Sequence, residues 1–292
     1  MSTSIAIIGP GRLGQALARL WCDAGHDLLG FLGRDAARAA AAVAFAGHGR
    51  PLVPDDLPAA GVVVVTVPDR ALAETVERLA VHTVAGSLWL HSSGVHGLEP
   101  LAPLARRGAE IAAMHPLAPV PDPLAGLTTL PGRPALIEAA AEVVQDVVDL
   151  ARDAGLEPIV ATAAVDRARY HAACALAANG TTALGSVAAR LIAGAAGLPA
   201  ELADRVVGQL CAAAGRLVAE RGAAEALSGP LLRGDVDVLA AHLEALRREA
   251  TGDAADLYRD LTRSALPLAA ARGGDARMLE RVRRLLDGER LD

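Results

Sequence analysis

Lysine is absent from this chain of 292 residues, because all 28 cationic residues are arginine. The protein therefore has neither a Schiff-base lysine nor a lysine general acid, since arginine keeps its proton throughout the physiological pH range. Aromatic residues make up only 2 % of the chain, which argues against the base-stacking platforms that bind single-stranded nucleic acid. The hydrophobic core must therefore be built mainly from alanine, valine and leucine.

Cysteine and net positive charge are also scarce. Cys22, Cys174 and Cys211 are isolated and lack the spacing of a zinc or redox motif, so we expect reduced thiols and no metal site. A net charge of −6 without a basic tail argues against a nucleic-acid partner. The apolar run Ile5–Ile8 is too short for a signal peptide, and no uninterrupted apolar stretch reaches the roughly 20 residues that span a bilayer. We expect a cytoplasmic protein without a membrane partner.

Up to about Val160, short β-rich runs alternate with alanine- and leucine-rich stretches. The strand candidates are Ser4–Ile8, Asp27–Leu32, Val62–Val67, Leu88–Leu90, Ile111–Met114 and Glu157–Val160. A block of valines such as Val62–Val67 is typical of a strand buried on both faces of a parallel sheet. The alternation predicts right-handed βαβ units, and hence an α/β fold with a doubly wound parallel sheet.

The chain after Asp166 shows helical patterns and no convincing strand. Asp166–Ala193 predicts one long helix, or two in line with a kink near Gly180 or Gly185. Further helices are predicted over Ala200–Arg221, Val236–Ala250, Ala254–Ala270 and Ala276–Leu286. Asp235 is the predicted N-cap of the second of these helices. We therefore divide the chain into an α/β domain, residues 1–161, and an all-α domain, residues 162–292.

Proline interrupts the first of these domains near its end. The segment Pro116–Pro134 contains six prolines, which predicts a rigid and largely irregular connection. Val143–Ala154 then predicts the last helix before the final strand.

A glycine-rich loop follows the first strand and consists of Gly9, Pro10, Gly11, Arg12, Leu13 and Gly14. It matches Gly-x-Gly-x-x-Gly between a strand and a helix, the context in which this pattern binds a dinucleotide. Gly9 permits a tight turn, Gly11 lets the backbone approach a pyrophosphate, and Gly14 allows close helix–strand packing. The free N–H groups at the helix start would bind the anion, which predicts a Rossmann-type cofactor site.

The end of the second strand indicates which dinucleotide binds. Proteins that bind NAD usually carry Asp or Glu here, whereas this chain has Arg34, with Arg38 one helical turn later. A guanidinium pairs with a 2′-phosphate, so the pattern favours NADP. Asp35 is interpreted as the N-cap of the next helix. Val67 and Pro68 end the valine strand at the same sheet edge and are expected to border the cofactor.

Two further strand ends carry polar side chains. Ser92 and Ser93 follow His91, and His115 follows another apolar run. Hydroxyls and imidazoles at this edge are suited to hold a carbonyl or a carboxylate near a nicotinamide. His115 or His91 could protonate the alkoxide that hydride transfer forms, and a structural role stays open for each histidine.

Candidate substrate contacts also occur in the helical domain. His171 and Asn179 lie in an otherwise alanine-rich helix, and buried polar groups cost ~1–3 kcal/mol unless they are bonded, so this pattern predicts partners in the protein or in a substrate. Arg233 lies in the loop Ser228–Asp235 and could anchor a substrate carboxylate, although a simple helix connection explains the loop equally well.

Taken in order, these motifs resemble one family. The glycine-rich loop, His-Ser-Ser-Gly, Met-His-Pro-Leu, Tyr-His-Ala-Ala with a later Asn, and Ser-Gly-Pro-x-x-Arg-Gly-Asp are similar to those of Rossmann-like oxidoreductases with an appended helical domain of unknown function. The resemblance extends from about residue 4 to residue 270. In layout the family is related to pyrroline-carboxylate reductases, hydroxyacid dehydrogenases and ketopantoate reductases.

The resemblance implies NADP binding, a homodimer built through the helical domain, and a small-molecule substrate. Some members of the family are thought to reduce ketopantoate in pantothenate biosynthesis, so a small 2-oxo acid is the expected substrate. An imine, an imino acid or a deazaflavin, or NADP binding without turnover, are the alternatives. Related enzymes use a lysine acid, so His171 or His115 must replace it here. Family members usually have an aromatic residue after Pro116, where this chain has Leu117.

Overall fold

The structure, a computed structural model, describes residues 2–249 and 253–289. The chain forms two compact units, one up to Ala178 and one from Asn179 onward. The domain boundary predicted at residue 161 stays a prediction; it falls directly after the last strand, whereas the first compact unit extends one helix further.

In the described part of the first unit, eight strands form one sheet. They are β1 (Ser4–Ile8), β2 (Asp27–Leu32), β3 (Arg50–Pro51), β4 (Val62–Val65), β5 (Leu88–His91), β6 (Glu110–Pro116), β7 (Pro134–Ala139) and β8 (Glu157–Val160). Their order is β3-β2-β1-β4-β5-β6-β7-β8, and described neighbours are parallel except for the antiparallel pair β6 and β7. The order reverses between β1 and β4, which in open α/β sheets is where ligands bind.

Helices cover both faces of this sheet, which confirms the doubly wound α/β class. They are α1 (Arg12–Asp23), α2 (Ala36–Ala46), α3 (Asp69–Leu79), α4 (Ala102–Ala105), α5 (Pro123–Thr129), α6 (Val144–Asp153) and α7 (Arg167–Ala175), with 3₁₀ turns at Pro54–Ala59, Ala80–His82 and Glu99–Leu101. Successive strand residues point to opposite faces, so Ile7 and Val64 join one buried cluster while Ile8 and Val65 join the other.

The sequence prediction missed two elements at the proline-rich segment, the helix α5 within it and the strand β7 that begins at its last residue. Asp122 caps α5 by accepting a hydrogen bond from the backbone N–H of Ala125 at 2.8 Å, and Pro123 occupies the first turn, where proline is favoured. β7 begins at Pro134, the position in a strand where a missing N–H is tolerated.

The second unit is helical throughout its described residues. Its helices are α8 (Thr181–Ala196), α9 (Ala200–Arg221), α10 (Ala223–Ala226), α11 (Pro230–Arg233), α12 (Val236–Arg247), α13 (Asp253–Ala271) and α14 (Ala276–Leu286). The predicted helices agree closely with these, except that the predicted end at Ala250 lies outside the described residues. Asp235 occupies the N-cap position of α12 as predicted, but its carboxylate makes no capping bond and instead accepts one from Arg233.

The long helix predicted after Asp166 is interrupted as expected near Gly180. One π-helical turn, Leu176–Gly180, joins α7 to α8. By length and composition alone, the helical run Arg167–Ala196 is apolar enough to cross a membrane, and a single helix of this kind is weak evidence for a membrane span.

Candidate functional site

The glycine-rich loop between β1 and α1 is held in shape by Thr66, which follows β4. The Thr66 hydroxyl donates a hydrogen bond to the carbonyl oxygen of Gly9 at 2.8 Å. Gly9 has a φ of +103°, and a Cβ there would lie 2.9 Å from the backbone carbon of Thr66. A Cβ on Gly14 would strike the Thr66 hydroxyl and would lie 2.7 Å from the Gly9 oxygen. The fold itself therefore requires both glycines.

Gly11 differs from these two glycines because the fold does not require it. Its φ of −85° is open to any residue, and a Cβ there would lie 3.8 Å from the nearest atom, in ordinary contact. Gly11 is the N-cap of α1, and no side chain caps this helix, so its first N–H groups have no partner within the helix. The start of α1 is therefore exposed and uncapped, and Gly11 has no side chain to block it. An anion can approach the first N–H groups of such a helix closely.

The end of β2 contacts this loop and carries the predicted phosphate ligand. A Cβ on Gly33 would lie 2.9 Å from the Pro10 side chain, so β2 and the loop pack tightly here. Arg34 follows Gly33 directly, and its side chain is exposed. Arg12 is exposed as well, and in the described part of the chain neither arginine has an acidic partner. Asp35 accepts hydrogen bonds from two backbone N–H groups at the start of α2, so the N-cap interpretation is confirmed.

The end of β4 borders the same edge of the sheet. Val67 is partly buried against the apolar cluster beneath β4, and the exposed Pro68 is the N-cap residue of α3. Asp69 begins α3 and makes no capping hydrogen bond.

His91 and Ser93 shape the turn that follows β5. The backbone N–H of Ser93 donates to Nδ1 of His91 at 3.1 Å, so the proton must sit on Nε2, which donates to the Gly97 carbonyl at 2.7 Å. The Ser93 hydroxyl accepts hydrogen bonds from the backbone N–H groups of Val95 and His96. These bonds account for His91 and Ser93 without any substrate.

Ser92 is the residue of this turn whose side chain stays available. It is partly exposed and makes no side-chain hydrogen bond within the described residues. The substrate roles predicted for Ser92 and Ser93 stay predictions.

His115 and Tyr170 form the polar contact that joins β6 to α7. His115 Nδ1 lies 2.7 Å from the Tyr170 hydroxyl, and the two rings meet edge to face with their centroids 5.6 Å apart. The His171 ring lies 6.5 Å from that of His115. Gly94 makes room for both imidazoles, because a Cβ there would lie 2.7 Å from His115 and 3.0 Å from His171.

Burial keeps the His115–Tyr170 pair uncharged at neutral pH. Desolvation lowers the pKa of His115 to about 4, with further lowering from the neighbouring His171 and Arg167. Burial, followed by the neighbouring Cys174, raises the pKa of Tyr170 above its usual value. A neutral imidazole is therefore hydrogen-bonded to a neutral phenol over a broad pH range.

The remaining predicted residues lie outside this cluster or are more exposed than expected. The prediction that His171 and Asn179 are buried is wrong, because both are exposed in the single chain. Asn179 belongs to the second unit. Arg233, in the same unit, has a side chain 63 % exposed and is hydrogen-bonded to Asp235 at 2.8 Å, which is typical of a surface pair. Substrate roles for all three stay predictions.

Sequence reasoning assigned no role to three side chains at this edge, although it noted Tyr170 in the Tyr-His-Ala-Ala motif. Thr66 holds the loop, Tyr170 contacts His115, and Arg167 is buried and pairs with Glu138 at 2.8 Å. A signal existed for the last pair, because a glutamate inside the apolar run of β7 needs a cationic partner. Within the described residues, no cluster of three or more metal-ligating side chains occurs.

Two family models match successive parts of the chain. Residues 1–116 match the Rossmann-like domain, in agreement with the strand order and the glycine-rich loop. Residues 133–265 match DUF2520, a domain of unknown function. The two matches follow each other in the order that the sequence resemblance implied, a Rossmann-like domain first and a domain of unknown function second, which confirms that layout.

Several solved structures share this fold. A protein from Bacteroides fragilis, provisionally described as an NADP oxidoreductase, is 21 % identical with a TM-score of 0.69, over 90 % of this chain and 97 % of that one. An imine reductase from a Pseudomonas species is 17 % identical with a TM-score of 0.62, over 92 % and 98 %. A reductive aminase from Aspergillus terreus, solved with NADPH and ethyl-5-oxohexanoate, is 18 % identical with a TM-score of 0.58, over 99 % and 93 %.

At these identities the similarity shows the fold alone. Among curated proteins, none matches the sequence significantly.

Proposed function

We propose that the protein is an NADP-dependent oxidoreductase that transfers a hydride to a small carbonyl or imine substrate. The proposal rests on the observation at Gly11. Packing does not require a glycine at this position, and α1 begins there without a capping side chain. The names of the structural neighbours, which include an NADPH complex, support the same cofactor.

The residues present fit this cofactor. The backbone N–H groups that begin α1 would bind the pyrophosphate, and the open space above Gly11 would admit it. The exposed Arg34 would pair with the 2′-phosphate, aided by the neighbouring Arg12. Val67 and Pro68 would border it at the end of β4.

Tyr170 and His115 would supply the proton that the reduced substrate needs. When bound, NADPH supplies a hydride to the electrophilic carbon of the substrate. The substrate oxygen or nitrogen then needs a proton. The partly buried Tyr170 phenol is protonated at neutral pH and can give its proton to the strongly basic anion that hydride transfer leaves. If the phenol donates directly, the Nδ1–H of His115 stabilises the phenolate; if Tyr170 donates to Nδ1, Nε2 passes on its own proton. Either route takes the proton from Tyr170.

The substrate class is a finer part of the proposal. A small 2-oxo acid such as ketopantoate is the first candidate, on the sequence resemblance. The imine reductase and the reductive aminase among the structural neighbours favour an imine or imino acid as the second, while a deazaflavin rests on the resemblance alone. A screen of NADPH oxidation with oxo acids, imines and a deazaflavin separates them. Tight NADPH binding without turnover across the panel would indicate a regulatory protein.

Arg34→Ala tests the cofactor preference. We expect its Kd for NADPH to rise by about 10- to 100-fold, because a charged hydrogen bond to the 2′-phosphate is lost. The Kd for NADH should change little. Calorimetry on nucleotide-free protein measures both, with Arg152→Ala, an exposed arginine on α6, as the matched control. Equal losses for the two nucleotides would contradict the phosphate contact, and no binding of either by the unmodified protein would end the proposal.

A homodimer built through the helical unit is also proposed. Apolar side chains are exposed along α8 and α9 in the single chain, and they are Leu184, Val206, Leu210, Leu217 and Val218. Exposed apolar residues on two adjacent helices favour burial against a second copy. We expect Leu210→Glu to convert a dimer to a monomer in light scattering, whereas Leu124→Glu, equally exposed on α5, should not. A monomeric unmodified protein would contradict the proposal.

A further inference from the structure

Arg167 is the buried cation of the first unit in the described part of the chain. Its side chain is 9 % exposed, and its Nη2 donates to Glu138 at 2.8 Å. The guanidinium carbon lies 5.9 Å from the centre of the Tyr170 ring. The ion pair therefore lies directly beside the phenol that contacts His115.

The Arg167–Glu138 ion pair and the His115–Tyr170 contact both connect α7 to the sheet. On the sheet, Glu138 lies opposite Ala113 of β6, and His115 is two residues further along that strand, so both side chains share one face. On α7, Arg167 and Tyr170 are three residues apart and share one helix face. One face of α7 thus contacts one face of the sheet through two polar pairs, Arg167 with Glu138 and Tyr170 with His115.

Stability alone does not account for the pair. Arg167 Nε and Nη1 are buried without a hydrogen-bond partner among the described residues. A buried ion pair with unsatisfied donors is often no more stable than an apolar pair of similar volume. Stability is therefore not a sufficient reason for two charges at this place, and their position beside the Tyr170 ring indicates a second role.

We propose that Arg167 and Glu138 are positioning residues, which hold the first turn of α7 on β7 so that the Tyr170 hydroxyl stays on His115. This inference rests on the proposed function, because it assigns the pair to the proton donor of that reaction. The guanidinium also acts on the imidazole electrostatically. The charges that act on His115 are Arg167 and His171 from α7, His91 from β5 and Asp69 from α3, and Asp69 alone among them favours the imidazolium.

The double variant Arg167→Met, Glu138→Leu tests the proposal. It removes both charges together, so no unpaired ion is left in the interior. We expect it to fold, and we expect its His115 pKa, measured by NMR titration, to rise modestly above about 4, because the Arg167 charge is removed while desolvation, the largest cause of the lowering, remains. We also expect kcat to fall about 10- to 100-fold from misplacement of the phenol, with the Kd for NADPH unchanged.

Arg169→Met is the matched control, because Arg169 lies on the same turn of α7 with a side chain 88 % exposed. It should leave both the titration and kcat unchanged. If the double variant does not fold, Arg167→Gln combined with Glu138→Gln, which keeps a neutral hydrogen bond between the two side chains and removes both charges, should raise the same pKa.

The titration needs no substrate, so it tests the pair even if the unmodified protein reduces nothing. An unchanged His115 pKa in a folded variant would overturn the proposal, whatever happens to kcat. Loss of NADPH binding in the double variant would overturn it as well, because the pair would then support the whole fold of the site.

Discussion

Replacing Tyr170 by phenylalanine is expected to lower kcat by about 10²- to 10⁴-fold, the usual contribution of a positioned proton donor. The ring and its packing are kept, and only the hydroxyl that contacts His115 is lost. NADPH should bind as before, since the phenol is not part of the glycine-rich loop. Single-turnover oxidation of NADPH with the best substrate of the screen measures the loss, and calorimetry measures the binding.

The chain provides its own control for this variant. Tyr258, the second of two tyrosines, also contacts a histidine, with its hydroxyl 2.9 Å from Nδ1 of His242 and the rings edge to face. Tyr258→Phe removes an equivalent hydrogen bond in the second unit and should leave kcat unchanged. If both variants kept full activity, the proton donor would have to be sought elsewhere, with His171 as the next candidate.

Gly11→Ala and Gly14→Ala are expected to separate binding from folding. At Gly11 the added methyl group meets only ordinary contacts, so the free energy of unfolding should change by less than about 0.5 kcal/mol. The methyl group would, however, lie where the pyrophosphate approaches. We therefore expect NADPH affinity to fall by about 100-fold, or roughly 2.7 kcal/mol.

At Gly14 the same methyl group strikes the Thr66 hydroxyl and the Gly9 carbonyl. Overpacking of this kind costs about 1–3 kcal/mol, so stability and binding should fall together. Denaturant unfolding and calorimetry on both variants give the comparison. Gly61→Ala, whose Cβ would lie 3.5 Å from its nearest neighbour, serves as the control. If Gly11→Ala bound NADPH normally, the loop would not hold the pyrophosphate.

The valine strand β4 is the clearest of the strands that the sequence predicted, because its burial shows in consecutive residues. Val62–Val65 is buried on both faces, and its run of valines permits no other reading. β7 was missed because it begins with Pro134 and contains Glu138, two residues that argue against a central strand. The buried Arg167 compensates the glutamate, and although the glutamate indicates that a cation is needed, no local pattern shows which residue provides it.

The candidate site likewise has one part that the sequence predicts and one part that it does not. The glycine-rich loop was predictable because its function depends on spacing within six residues. The contact between His115 and Tyr170 joins residues 55 apart in the chain, and that between Glu138 and Arg167 joins residues 29 apart. Such pairs depend on where α7 packs, and helical periodicity does not specify the strand that a helix face will meet.

Thr66 fixes the glycine-rich loop to the neighbouring strand before any nucleotide arrives. A receptor already held in its bound shape loses little conformational entropy when a ligand associates with it. The adenosine half of the cofactor would then dock on a rigid cradle, and the energy of its phosphate contacts would remain available for affinity.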